Sequence, residues 1–197
     1  MTKKKIFILL GNEDCETLSG SLATSYEKGA RDAGHEVKRI NICDLDFDPI
    51  LHKGYKEIQK LEPDLERVQN YMKWADHVAI FYPNWWGSMP AILKGMFDRM
   101  FLPGFAFKFR KEGVLKSIRW KKLLSGKSAH VCITMNYKPW VARFLFGDNS
   151  NEITKNILRF AGFSPIHLVK LGPVEKMSTQ EHEELKGRAY KMGKKIK

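Results

Sequence analysis

Short apolar segments alternate with longer amphipathic segments along most of the chain. Five segments have the length of a β-strand. In four of them apolar side chains fill most positions, which is typical of strands buried on both faces of a parallel sheet. The second segment alternates, with Val37 and Ile40 among polar residues. The five segments are 5–10, 35–41, 77–82, 129–134 and 166–171.

Between these segments, apolar residues recur every three or four positions, which places them on one face of a helix. This spacing predicts helices over about 18–33, 63–75, 90–100, 152–161 and 178–196. Gly34 ends the first helix, and Ser178 with Glu181 forms a capping box for the last. The segment 44–63 has weak periodicity and is predicted to be a long connection with a short helix near 55–61.

Strands that alternate with helices predict an α/β fold whose parallel sheet is covered on both faces. Right-handed crossovers leave few arrangements of five strands, and the order 2-1-3-4-5 of a flavodoxin-like three-layer α/β/α sandwich fits best. The sequence shows no repeat and no second-domain boundary, so residues 1–197 are interpreted as one domain. The aromatic and basic stretch 104–127 is predicted to be an insertion.

The chain is strongly basic, with 34 lysines and arginines against 22 acidic residues and a formal net charge of +12. This charge favours anionic partners such as nucleotide phosphates or an acidic membrane surface, although a solvated cationic surface also accounts for it. No nucleic acid partner is expected, because no recognised binding motif accompanies the charge. No transmembrane segment is expected either, since no apolar run reaches the length that spans a bilayer.

The three cysteines, Cys15, Cys43 and Cys132, show no CxxC spacing. An odd number without that spacing predicts neither a disulfide framework nor a metal site, and it favours the cytoplasm as the location. Cys15 lies in a polar loop, so it is the cysteine to test as a reactive thiol, with an ordinary free thiol as the alternative.

Three unusual loops follow the first, third and fourth strands, whose carboxyl ends border the ligand crevice in a sheet of this order. The loop 11–19 places hydroxyls at a helix N-terminus, which favours a phosphate, although Thr17 also fits a simple N-cap. The loop 83–90 carries two adjacent tryptophans, which suit a flat heteroaromatic ligand better than core packing. The loop 134–140 offers hydroxyl, amide and phenol donors, which suit the negative charge of a reduced flavin. The alternative is an ordinary loop without a ligand.

The segment 83–109 resembles the signature of NAD(P)H:quinone oxidoreductases of the DT-diaphorase type. The similarity rests on PNWWGSMPAILKGMFDRMF followed by GFAF, and it extends more loosely over nearly the whole chain. It implies a flavodoxin-like homodimer that binds FMN or FAD, with active sites at the dimer interface.

The resemblance also implies a role for each of the three loops. The flavin phosphate would be held by Asn12, Thr17, Leu18 and Ser19. The isoalloxazine ring would be lined by Pro83, Asn84, Trp85 and Trp86. Its pyrimidine edge would meet Thr134, Met135, Asn136 and Tyr137. The chain departs from the family pattern at Asn12, Ser19 and 135–137. The departure at 135–137 leaves the catalytic tyrosine and histidine of the animal enzymes without a direct counterpart, and Tyr137 is the expected catalytic phenol.

The mechanism that the resemblance implies is ping-pong. NADH or NADPH passes a hydride to the flavin and leaves, and a quinone-like acceptor then takes the hydride at the same place. An alternative from the same family is a flavin-binding regulatory subunit that docks on a potassium efflux transporter at the membrane. A one-electron flavodoxin is disfavoured, because those carriers are typically acidic.

Basic side chains are concentrated in the stretch 104–127, where Glu112 is the only acidic residue. They are Lys108, Arg110, Lys111, Lys116, Arg119, Lys121, Lys122 and Lys127. If this stretch borders the crevice, its field should speed the capture of an anionic dinucleotide and make NADPH at least as good a donor as NADH. The alternative is a solvated loop whose charges serve solubility.

Overall fold

The computed structural model of the chain describes residues 2–109, 120–148 and 150–196. Five parallel strands form the main sheet: β1 (Lys5–Leu10), β2 (Glu36–Asn41), β3 (His77–Pro83), β6 (Ser128–Thr134) and β7 (Ile166–Leu171). Their order is β2-β1-β3-β6-β7. The short strands β4 (Phe107–Phe109) and β5 (Trp120–Lys122) pair with each other outside this sheet. The predicted fold class and strand order are therefore confirmed.

In the described part of the chain, five α-helices and one π-helical segment surround the sheet. The α-helices are α1 (Leu18–Asp32), α2 (Pro63–Trp74), α3 (Ala91–Met100), α4 (Pro139–Phe146) and α5 (Thr179–Lys194). The π-helical segment is Glu152–Arg159, within the range predicted as an ordinary helix. Short 3-10 turns occur at Ile42–Asp44 and Val174–Lys176. The predicted capping box of Ser178 and Glu181 is present at the start of α5.

The central strands β1, β3 and β6 are largely buried on both faces, as their apolar sequences predict. The edge strands β2 and β7 are only partly buried, so the expectation of burial on both faces is wrong for β7. Phe7 and Leu9 of β1 pack in a cluster with side chains of α2, α3 and the π-helical segment. Ile6 and Ile8 point to the opposite face and pack with α1 and α5. The alternation of side chains along the strand thus produces the three layers.

Helices α1 and α5 approach each other closely enough to touch backbone to backbone. A Cβ atom on Gly29 would lie 2.0 Å from the carbonyl oxygen of Tyr190, and one on Gly193 would lie 2.1 Å from that of Tyr26. Such distances are far below a normal carbon–oxygen contact, so a larger residue at either glycine would force the helices apart. The two glycines fix the thickness of this layer.

The prediction of a short helix at 55–61 is wrong, because this part of the long connection has turns and bends instead. The fully buried Arg99 of α3 holds the connection. Its guanidinium donates to the carbonyl oxygens of Asp48 and Lys60 and forms a 2.9 Å ion pair with Glu62. Carbonyls bound by Arg99 take their hydrogen bonds from a side chain rather than from a helical ladder.

The aromatic insertion is attached to the body through Trp120 of β5. Its indole stacks on the Phe160 ring at 4.3 Å between centroids, and its Nε1 donates to the Phe160 carbonyl oxygen at 2.9 Å.

No helix of the described residues is both long and apolar enough to cross a bilayer.

Candidate active site

The loops after β1, β3 and β6 meet at the carboxyl edge of the sheet. The backbone N–H of Asn84 donates to the carbonyl oxygen of Thr134 at 2.7 Å, which joins the β3 loop to the end of β6. The hydroxyls of Ser19 and Thr134 lie 2.9 Å apart, which joins the start of α1 to the same strand. The structure therefore brings together the three segments that the sequence singled out.

The loop after β1 ends in a capped helix. Thr17 is the N-cap of α1, and its Oγ1 accepts a hydrogen bond from the Gly20 N–H. Asn12 is buried, and its Nδ2 donates to Thr17 Oγ1 at 3.0 Å. The half-buried Leu18 packs against the α1–α5 core cluster, so it can offer a ligand only its backbone N–H. Thr17 is therefore an N-cap, as the alternative to phosphate binding predicts. The backbone N–H groups of this helix N-terminus still suit an anion.

One polar atom in this loop points to a missing partner. The Oδ1 of Asn12 is buried and accepts no hydrogen bond from the described residues. A buried acceptor without a donor costs about 1–3 kcal/mol, so such atoms are normally paired by a ligand or water. The hydroxyls of a ribityl chain are donors of the required kind, and the residues present therefore fit a flavin.

The prediction that the cysteines form no disulfide is wrong. Cys15 and Cys43 are joined by a disulfide, which ties the loop after β1 to the turn after β2. The two loops lie side by side because Leu10 and Asn41 are paired at the ends of adjacent parallel strands. Cys15 is therefore no free reactive thiol. Cys132 is free but buried, and burial raises the pKa of its thiol to about 12.

The tryptophan loop is a tight turn from Trp85 to Ser88. The N–H of each of these residues donates to the carbonyl oxygen of the other, at 2.9 and 3.0 Å. Trp86 and Gly87 occupy the two central positions with φ of +50° and +80°, the conformation of a type I′ turn. A bulky residue rarely adopts positive φ, and Trp86 is the one non-glycine residue of the described chain that does so.

The same turn exposes the indole rings of Trp85 and Trp86 to solvent. Trp86 is 105% exposed and Trp85 is 45% exposed, so neither packs into the core. The turn is anchored behind them, because the Ser88 hydroxyl donates to Glu152 Oε2 at 2.6 Å and Met89 is buried. A strained backbone that holds an exposed indole indicates a functional role for that ring.

The loop after β6 is pinned at its start and exposed further on. Thr134 and Met135 are buried, and the Met135 N–H donates to the Leu171 carbonyl oxygen at 2.8 Å. The Asn136 side-chain amide donates to Glu175 at 2.6 Å, so its amide nitrogen is engaged within the chain. Tyr137 is half exposed, and its phenol makes no hydrogen bond within the described chain.

An apolar surface that the sequence analysis missed continues from this loop along α4. Tyr137 packs edge-to-face against Phe146, with the ring centroids 5.7 Å apart. The exposed side chains of this α4 surface are Trp140, Phe144, Leu145 and Phe146. The sequence signal for this helix was Pro139 followed by an almost uninterrupted apolar run, because proline suits the first turn of a helix.

The basic cluster of the insertion is only partly described. Lys108, Lys121 and Lys122 are exposed on the β4–β5 hairpin, whereas Arg110, Lys111, Lys116 and Arg119 lie outside the described residues. Lys127 belongs elsewhere: its Nζ donates to the Lys73 carbonyl oxygen at 2.8 Å, next to the amino end of β6. The expected steering of an anionic dinucleotide therefore stays a prediction.

Two curated relatives carry oxidoreductase names. An uncharacterized NAD(P)H oxidoreductase of Haemophilus influenzae is 28% identical over 113 residues, which cover 53% of this chain and 55% of that protein. The ribosyldihydronicotinamide dehydrogenase (quinone) of Homo sapiens is 39% identical over 155 residues, or 68% of this chain and 64% of that protein. The matches thus span a little more than half of the relatives' length.

Two solved structures share the fold over almost the whole chain. An NAD(P)H:quinone oxidoreductase from Methanothermobacter marburgensis has a TM-score of 0.79 at 21% identity, covering 98% of this chain and 96% of that one. An FMN-dependent NADH-azoreductase from Bacillus anthracis, solved in complex with FMN, has a TM-score of 0.68 at 17% identity, covering 98% and 100%. The Flavodoxin-like fold family matches residues 4–196, and the chain belongs to that family.

Proposed function

We propose that the protein is a flavin-dependent NAD(P)H:quinone oxidoreductase that reduces quinone-like acceptors by two electrons. The observation that carries this proposal is the Trp86 turn at the carboxyl edge of the sheet. It keeps a large planar side chain in an unfavourable backbone conformation and fully exposed, beside the crevice where this fold binds ligands. The names of the relatives, NAD(P)H oxidoreductase and quinone dehydrogenase, support the same reaction class.

The flavin would lie across the three loops. The N-terminus of α1 offers backbone N–H groups to its phosphate. The Asn12 amide nitrogen is engaged with Thr17 and its unpaired Oδ1 is an acceptor, so Asn12 would meet a ribityl hydroxyl rather than the phosphate that the resemblance assigns to it. Pro83, Asn84, Trp85 and Trp86 line the ring, and Thr134 to Tyr137 meet its pyrimidine edge. We favour FMN over FAD, because the Bacillus anthracis enzyme that shares this fold holds FMN.

Bound flavin supplies the redox chemistry, accepting a hydride from the nicotinamide and delivering it to the acceptor in alternate half-reactions. The chain positions the reactants. The exposed indoles of Trp85 and Trp86 stack against planar rings and exclude water from one side. The N–H groups of Trp86 and Gly87 make no hydrogen bond within the described chain, so they can donate to an oxygen or nitrogen at the ring edge. Tyr137 holds a proton on its phenolic oxygen beside the acceptor.

A second copy of the chain would complete the site. The exposed apolar side chains of α4 lie next to Tyr137 in the sequence and form a surface that a soluble monomer rarely leaves uncovered. Homodimers with two-fold symmetry are the commonest way to cover such a surface. We therefore propose a homodimer whose α4 surfaces meet near the flavin. The cytoplasmic location stays a prediction, and the Cys15–Cys43 disulfide removes the cysteine argument for it.

An absorption spectrum of the purified protein, followed by chromatography of the heat-released flavin, tests the proposal first. We expect a flavin spectrum and FMN in the supernatant. Stopped-flow reduction by NADH and by NADPH at low and high ionic strength, followed by reoxidation with a naphthoquinone, then tests donor, acceptor and steering. A protein that neither retains added FMN nor is reduced by either nucleotide would contradict the proposal.

A further inference from the structure

A cavity lies at the amino ends of β3, β6 and β7, at the opposite edge of the sheet from the candidate active site. Its volume is about 320 Å³. Three histidines line it, one from each strand: His77, His130 and His167. The N-terminal segment contributes Lys4, and the residue after α5 contributes Lys195. None of these residues has a role in the proposed oxidoreductase chemistry.

The three imidazoles form a continuous row. The ring centroids of His77 and His130 are 4.5 Å apart, and those of His130 and His167 are 5.4 Å apart. His130 and His167 are direct partners in the register of β6 and β7. The row therefore follows from pairing of adjacent strands and is held by the sheet itself.

Hydrogen bonds fix the inner half of the row. The buried hydroxyl of Tyr26 lies 3.0 Å from His77 Nε2 and 2.8 Å from His130 Nδ1. A phenol has one proton to donate, so one of these histidines accepts from Tyr26 and the other donates to it. His77 Nδ1 lies 2.7 Å from the Ser128 hydroxyl, so both nitrogens of His77 are engaged.

The outer half of the row has unused hydrogen-bonding capacity. Among the described residues, neither His130 Nε2 nor the ring nitrogens of His167 have a hydrogen-bond partner. Ser128 and Ser164 add hydroxyls to the cavity wall. Two lysines and one carboxylate, Asp76, line it, so its formal charge is positive even when all imidazoles are neutral.

This combination suits an anion better than a metal ion. No three ligand atoms of this histidine cluster converge closely enough to share one metal ion within the described chain. Imidazole N–H groups, ammonium groups and hydroxyls are the donors that recognise phosphate and carboxylate oxygens. We propose that the cavity binds a small oxyanion, with His130, His167 and Lys195 as its main contacts.

Proton uptake should accompany binding. Burial, followed by the field of His167, lowers the pKa of His130 to about 4, so its imidazole is neutral at neutral pH. An anion beside the ring favours the imidazolium form, and affinity should therefore rise as the pH falls. The titratable and charged groups facing this region are Lys4, Tyr26, His35, Asp76, His77, His167 and Lys195.

Histidine imidazole ¹⁵N–¹H NMR on the flavin-loaded protein tests this inference, with inorganic phosphate, glycerol phosphate and malonate added in separate titrations at pH 6 and pH 8. We expect His130 and His167 signals to shift in a saturable way, more strongly at pH 6. Signal shifts with phosphate but not with malonate would identify phosphate groups as the ligand class. Shifts with glycerol phosphate would show that phosphate esters bind as well as free phosphate.

Variants separate the cavity from other anion sites. His167→Asn and Lys195→Ala should each weaken binding about tenfold, the value of one charge-assisted hydrogen bond. Lys194→Ala is the matched control, since it removes the same charge one residue away without lining the cavity. Binding that is equal in Lys194→Ala and Lys195→Ala, or histidine shifts with Zn²⁺ but with none of the anions, would overturn the inference. Flavin retention should be unchanged throughout, so the proposed function is tested separately.

Discussion

The hydroxyl oxygens of Ser19 and Thr134 lie 2.9 Å apart in the protein interior, although 115 positions separate them in the chain. Thr134→Val keeps the shape of the side chain but leaves the Ser19 hydroxyl buried without a partner. We expect the free energy of unfolding in urea to fall by about 1–3 kcal/mol. Ser19→Ala combined with Thr134→Val should cost less than the sum of the two single changes. Strict additivity would show that the hydroxyls do not depend on each other.

Trp86 allows a test that separates strain from binding. Trp86→Ala and Trp86→Gly both remove the indole, and we expect each to weaken flavin retention about tenfold, as loss of a stacking ring does. Only glycine relieves the positive φ, so Trp86→Gly should be more stable to urea than Trp86→Ala by up to about 1 kcal/mol. Tyr55→Ala, which removes another exposed ring, is the control for flavin retention. Full retention in both Trp86 variants would remove the main support for the site.

Acid should destabilise the fold through the histidine row. The pKa of His130 is about 4 and that of His77 is well below 6.5, in both cases chiefly because of burial. The unfolded chain therefore binds protons below about pH 6.5 that the folded chain rejects until about pH 4. Stability should be at its maximum above pH 6.5, and between about pH 6.5 and pH 4 it should fall by about 1.4 kcal/mol per pH unit because of His130. His77, whose pKa in the folded chain is also lowered by burial, should add to this fall below pH 6.5. Urea titrations in anion-poor buffer measure this slope, and His130→Gln should flatten it; an unchanged slope would contradict the assignment.

Reduction of the Cys15–Cys43 disulfide should loosen the loop after β1. The bridge joins positions 28 apart, and closing a loop of that length restricts the unfolded chain by about 3–4 kcal/mol. We expect a dithiol reductant to lower the free energy of unfolding by up to that amount and to weaken flavin retention. The Cys15→Ser, Cys43→Ser double variant should not respond to reductant. Mass spectrometry after alkylation in cell lysate shows which form the cell maintains.

The α4 surface predicts the oligomeric state. Light scattering at micromolar concentration should give the mass of a dimer, and Phe144→Glu should give a monomer because it places a charge in an apolar interface. Ile58→Glu changes an apolar residue outside α4 that is even more exposed than Phe144, and it should leave the dimer intact. A monomeric parent protein would instead favour docking of this surface on another protein, as the regulatory-subunit alternative requires.

The strands and most helices were predictable because burial on both faces of the sheet leaves a local signature of apolar runs and helical spacing. The position of the three candidate loops at one edge of the sheet followed from the strand order alone. The Cys15–Cys43 bridge was not predictable, since pairing depends on β1 and β2 lying side by side. The role of Arg99 was also missed, because its buried guanidinium holds the long connection through groups that are distant in the sequence. The histidine row has no local signal either, for it exists only once three strands are in register.

Helix α1 is synthesised well before α5, the helix that packs on it. The close backbone contact of Gly29 with Tyr190 shows that α5 covers the face of α1 that carries Tyr26. A nascent chain in which α5 has not yet been made therefore leaves this apolar face uncovered. Chains that stop before α5 should be held by chaperones or degraded, so the docking of α5 is the step that commits α1 to its native layer.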